Sequence, residues 1–198
     1  MVEKYFDARI DRLNKSLMQN NVNESDLREI MEGGNLIKKG TQSKDKHKWL
    51  MHAMEKLDRL ICDNELKYKI MQDCACRLGG KLQEMCEKYY KEYPNIEERI
   101  EAINKIHGMG YELKIIGKGK YQVTYLDPNQ SEYKCFCLGK VNFDEIKMPI
   151  IYCYCSAGHI KYFLEIFLNK KLNVKCISSI LASKGKENCI FVFEELSE

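Results

Sequence analysis

Ten of the 198 residues are cysteine, and six of them fall into three Cys-x-Cys pairs: Cys74/Cys76, Cys135/Cys137 and Cys153/Cys155. Side chains two apart on a strand point to the same face. Cys135/Cys137 and Cys153/Cys155 would then each present two sulfurs in one direction. Two such segments side by side would bring four thiolates around a tetrahedral zinc ion, with an iron–sulfur cluster as the second choice. On a helix, side chains two apart diverge, so Cys74 and Cys76 would face different neighbours. Free cysteine is also among the most buried residue types and packs as a small hydrophobe. Cys62, Cys86 and Cys176 have no near partner in sequence and read as core.

Cys155 carries a second chemistry. The stretch 151–155 alternates β-branched and aromatic residues with cysteine and reads as a strand. From Ser156 the period changes, with Ile160, Phe163, Leu164 and Phe167 at helical spacing. Ser156 can cap that helix, which places Cys155 at its mouth, where free N–H groups and the helix dipole favour a thiolate. His159 follows one turn later, the geometry of a histidine-activated nucleophile. No third, orienting residue is identifiable, and a lone i, i+4 pair is more commonly a histidine on an ordinary helix face. A third reading uses the aromatics: Tyr152, Tyr154, Tyr162, Phe163 and Phe167, with Phe136, Phe191 and Phe193, would line an apolar pocket for a small molecule or simply form core.

These residues need elements to place them. Residues 4–19 read as an amphipathic helix with Phe6, Ile10, Leu13 and Leu17 on one face. Asn23 or Ser25 caps a short helix through Met31, and Gly33-Gly34-Asn35 stops it. Residues 38–48, polar and lysine-rich, read as an exposed loop. A third helix carries Leu50, Met54, Leu57 and Ile61. Asp63 caps a fourth, with Leu66, Ile70, Cys74 and Leu78, which Gly79-Gly80 kinks or splits before Leu82, Met85, Cys86 and Tyr89. Asn95 caps the next, with Ile96, Ile100, Ile103 and Ile106. After Gly110 the texture changes to strands at 111–116, 120–126 and 132–138, then the central strand and helix, then strands at 173–181 and 189–194. Helices and strands in blocks argue for an α+β fold: a helical N-terminal half, 1–110, then a largely antiparallel sheet with a packed helix, 111–198.

Composition narrows the setting. With 44% hydrophobic and 31% charged residues, the chain is that of a globular protein. No apolar run approaches the roughly 20 residues a membrane helix needs, so no membrane partner is expected. The start is charged and has no signal-peptide core, which makes the cytoplasm the expected compartment and free thiols, ligands or redox groups the expected cysteine states. A net charge of +3, with lysines spread along the chain, gives nucleic-acid binding no positive support.

The C-terminal half also resembles a known family. Cys153/Cys155, Gly158-His159-Ile160, Leu164-Glu165, Asn173-Val174-Lys175, Lys184-Gly185 and Cys189-Ile190-Phe191-Val192 together resemble the four-vinyl-reductase, or predicted hydrocarbon-binding, domain superfamily. The likeness covers residues 111–195 and extends to an offshoot similar to L-2-amino-thiazoline-4-carboxylate hydrolase; the helical half looks like what precedes this tail in bacterial proteins. The resemblance implies an α+β fold with a ligand cavity between sheet and helices, often as a homodimer. It also implies a zinc site in some members, with Cys155 and Cys189 at its first and last positions. Ser178 and Leu181 stand where an acidic residue and a third cysteine belong, and Cys135, Cys137 or Cys153 would have to substitute. The reading is a cytoplasmic protein that binds a small, hydrophobic molecule, with a cysteine-bound metal as an added element. Its rivals are a thiol-dependent hydrolase using Cys155 and His159, and an interaction module without a small ligand.

Overall fold

The computed structural model describes residues 5–76, 80–105, 110–125, 135, 137–139 and 141–196. Seven helices and four strands make up its regular structure among these residues, in the α+β class expected. The helices are α1 (Ala8–Gln19), α2 (Glu24–Met31), α3 (Ser43–Leu60), α4 (Asn64–Asp73), α5 (Gly80–Glu92), α6 (Ile96–Asn104) and α7 (Tyr154–Leu168). The strands are β1 (Tyr111–Gly117), β2 (Lys120–Tyr125), β3 (Leu172–Ser178) and β4 (Ile190–Glu195). None of the described helices is long and apolar enough to cross a membrane.

Contacts divide the chain into two units, each built from two separate pieces of sequence: 1–76 with 134–158, and 77–133 with 159–198. The expected boundary at residue 110 is not where the packing divides, because α5 and α6 belong to the same unit as the strands.

In the first unit the apolar stripes of α1 (Ile10, Leu13, Leu17), α3 (Leu50, Met54, Leu57) and α4 (Ile70, Met71) are buried. Asp7, Asn23 and Asp63 cap α1, α2 and α4 by accepting from backbone N–H groups of the first turn. Phe6 was expected on the inner face of α1, but it lies ahead of the Asp7 cap and is 61% exposed. The expected loop 38–48 is a loop only in its first part. From Ser43 it is the first turn and a half of α3, whose charged residues hide a helical face that begins at buried His47. A short 3-10 turn, Ile150–Cys153, leads directly into α7.

That turn corrects the strand expected at 151–155. Ile151, Tyr152, Cys153, Tyr154 and Cys155 are all buried, so the alternation of residue types does not mark a half-buried face. A fully buried run has no readable period. Pro149, with φ −60° just ahead of the turn, suits a helical start. The strand expected at 132–138 falls mostly outside the described residues; within them, Cys135 forms an isolated bridge with Gly139.

In the second unit the sheet order is β1-β2-β4-β3, with every neighbouring pair antiparallel. Leu113, Val123, Phe191 and Phe193 fill its inner face. Asn95 caps α6, and buried Arg99 donates to the carbonyls of Tyr93 at 2.9 Å and Phe167 at 2.6 Å. Asn104, at the end of α6, binds β1 twice: its Nδ2 donates to the Leu113 carbonyl at 2.8 Å, and its Oδ1 accepts from the Leu113 N–H at 3.0 Å.

Candidate functional site

The strongest gathering of chemically capable side chains lies in the first unit, where the start of α7 meets the end of α4. Gly158 sets the approach. A Cβ there would stand 2.4 Å from the Gln72 carbonyl oxygen, so only glycine lets the two backbones come this close. Tyr154 stacks on Tyr68 of α4 with ring centroids 4.0 Å apart. The result brings Cys155, on the first turn of α7, to Cys74, the C-cap of α4. Cys155 Sγ lies 3.9 Å from the Cys74 carbonyl oxygen, and the two thiols shift each other's titration.

Two guanidiniums from α1 close over this pair. Arg12 Nε donates to the Cys74 carbonyl at 3.2 Å, and Arg9 donates to the Cys137 carbonyl at 2.8 Å. Cys137 Sγ in turn lies 2.8 Å from the Ser156 hydroxyl. The electrostatics split the thiol pair. Interaction with Cys155 holds the Cys74 thiol below its ordinary value, aided by Arg12 and Arg9 against the effect of burial. The same interaction, followed by burial, pushes Cys155 well above its ordinary value. Cys135 is likewise pushed up, first by its hydrogen bond with Cys137 and then by burial.

Arg9 also belongs to a small pocket of about 220 Å³, lined by Asp7, Arg9, Ile10, Ser43, Lys46, His47, Leu50 and Leu138. Lys46 pairs with Asp7 at 3.2 Å. Burial raises the Asp7 carboxyl, but the Arg9 N–H and Lys46 outweigh it and hold the group below its ordinary value. His47 is lowered, chiefly by burial and then by the charge of Arg9, against a hydrogen bond to the backbone of Leu138. Burial disfavours the Arg9 charge, yet Tyr152, Cys137, Asp7 and Cys155 together hold its pKa above the ordinary value. Near neutral pH the walls therefore hold two cations, one carboxylate and a neutral imidazole.

The expected site residues are only partly brought together. Cys135, Cys137, Cys153 and Cys155 all lie in the first unit, and Cys137 and Cys153 both influence the Cys135 thiol. Among the described residues, however, no three His, Cys, Asp or Glu side chains are arranged to hold a metal ion. Cys189 belongs to the second unit, where its sulfur accepts from the Ile180 N–H at 3.5 Å. Of the zinc positions implied by the resemblance, Leu181 has no donor atom and the Ser178 hydroxyl is committed to the Asn188 carbonyl at 2.6 Å. These residues do not fit that metal site. For the nucleophile reading, the Cys155 thiol at the mouth of α7 is pushed up by Cys74 and by burial, while Cys74 is held down. His159 packs edge-on against Phe163 at 4.8 Å. Arg9, Arg12, Lys46 and His47 did not stand out in the sequence, and only the i, i+3 spacing of Arg9 and Arg12 on one helix face hints at a shared target.

No protein-family model matches the chain, and no curated protein sequence matches it at a significant level. Among solved structures it is similar to a mutant H-NOX domain from Shewanella oneidensis in an Fe(II)–CO ligation state. That likeness has 10% identity and a TM-score of 0.43, over 96% of this chain and 98% of that one. It is also similar to a mutant H-NOX protein from the same organism in the Fe(II) ligation state, with 9% identity and a TM-score of 0.43, over 98% and 97%. Likeness of this degree assigns neither a family nor a ligand.

Proposed function

We propose that the chain is a small-molecule-binding protein and that its ligand is a small anion held in the pocket of Arg9, Lys46 and His47. One observation carries the reading: Arg9 lines the pocket with its charge reinforced, while its hydrogen bond goes to a neutral carbonyl. Asp7 pairs with Lys46 and also acts on Arg9, so two cations face one carboxylate and one positive charge remains for a ligand. About 220 Å³ is room enough for a short carboxylate or a phosphate. The charged walls favour such a polar ligand over a hydrocarbon, and the cations weigh against a divalent metal at this position.

Calorimetric titration of the full chain with acetate, malonate and inorganic phosphate tests the proposal. At least one should bind with unit stoichiometry, more weakly as salt rises. Arg9→Gln should weaken that binding by about tenfold or more, the scale of one lost charged hydrogen bond. Lys46→Gln should weaken it less, and a change at exposed Lys38 should leave it unchanged. Absence of binding by all three anions, or binding indifferent to Arg9→Gln in a folded variant, overturns the proposal.

A further inference from the structure

We propose that Cys74 and Cys155 are a redox pair, joined by a hydroperoxide into a reversible disulfide between the end of α4 and the start of α7. The inference stands on packing and does not need the anion pocket. Gly158 draws the two backbones together, with its Cβ position 2.4 Å from the Gln72 carbonyl oxygen, two residues before Cys74. The stack of Tyr154 on Tyr68 fixes the same junction one residue before Cys155. Cys155 Sγ lies 3.9 Å from the Cys74 carbonyl oxygen, which brings the two cysteines into contact although they are 81 positions apart in sequence. Arg12 bonds the Cys74 carbonyl, which places a positive charge beside the sulfur that must ionise.

The chemistry balances with one hydroperoxide. The Cys74 thiolate attacks the terminal peroxide oxygen, an S–O bond forms as the O–O bond breaks, and the alkoxide leaves as an alcohol after taking a proton. The product is a sulfenic acid on Cys74. Cys155 then loses its proton and attacks that sulfur; the S–S bond forms, the S–O bond breaks and water departs. Two thiols and one hydroperoxide give one disulfide, one alcohol and one water, with two electrons passing from sulfur to the peroxide. A small thiol reverses the step by exchange. Both sulfurs are buried, so the smallest member of the class, hydrogen peroxide, is the appropriate probe.

The test is a disulfide map. The reduced full chain is treated with equimolar hydrogen peroxide, its remaining thiols are blocked with N-ethylmaleimide, and its peptides are analysed by mass spectrometry. The expected result is one cross-linked pair joining Cys74 to Cys155, lost after dithiothreitol. On a non-reducing denaturing gel the oxidised chain should run ahead of the reduced one, because the closed loop compacts the denatured chain. Cys155→Ser should abolish both signals, while Cys62→Ser, at an exposed site, should keep them. The wild-type map stands alone if the buried variant fails to fold. A map with Cys74 and Cys155 still free while other thiols are oxidised, a Cys135–Cys137 disulfide in their place, or Cys74 sulfinic acid beside a free Cys155, overturns the proposal.

Discussion

A neutral imidazole beside a guanidinium makes His47 a reporter on its own surroundings. Its folded pKa lies below the ordinary 6.5, first through burial and then through Arg9. The unfolded chain therefore takes up a proton that the folded chain resists, and stability must rise with pH across that window. The contribution is complete above about pH 6.5 and is lost as pH falls through 6.5 toward the lower folded value. Urea midpoints measured from about pH 5 to pH 7 should fall on the acid side in the native chain and less steeply in His47→Gln; equal slopes would remove His47 as the cause. An anion bound beside the ring would oppose this fall. At this scale the sequence showed the cysteines but not their electrostatics. Spacing drew attention to Cys155, yet its state depends first on Cys74 and then on burial, and both come only from tertiary packing.

Helix ends were the most readable elements, because a cap is a local device. Asn23, Asp63 and Asn95 each accept N–H bonds two or three residues ahead, as a short polar side chain before an apolar run suggests. The entry into α7 was misread for the opposite reason: a segment buried on all sides loses the periodic signature by which strand and helix are told apart. Gly158 belongs to the same interface. Within a helix, glycine is disfavoured by about 1 kcal/mol relative to alanine. That loss is outweighed by a close approach to a carbonyl that cannot rotate away. Gly158→Ala should therefore destabilise the chain by ~2 kcal/mol despite its better helix propensity. Denaturant unfolding measures the change, and a stabilised variant would mean that α4 yields readily to the added methyl. The same variant should also slow cross-linking of Cys74 to Cys155.

The whole chain is organised by return. Each unit needs a later piece of sequence: 134–158 completes the helices of the first, and 159–198 completes the second after 77–133. Fragments cut at residue 110 should therefore both lack cooperative unfolding by circular dichroism. A sharp transition in 1–110 alone would mean that the Ile150–Cys153 turn and the start of α7 are dispensable. Fold class was legible because helices and strands come in blocks, and residues two apart in β2 and β4, such as Tyr121 and Val123 or Phe191 and Phe193, share one buried face. Which helices join the strands was not legible, since Arg99 of α6 meets the Phe167 carbonyl across 68 positions of sequence. The Asn104 amide has a consequence of its own. With both hydrogen-bonding groups of Leu113 engaged, the outer flank of β1 is occupied at mid-strand by a side chain that imitates a neighbouring peptide. An intruding segment would have to evict it, so this rim of the sheet is guarded against amyloid-like recruitment without a proline or an added strand.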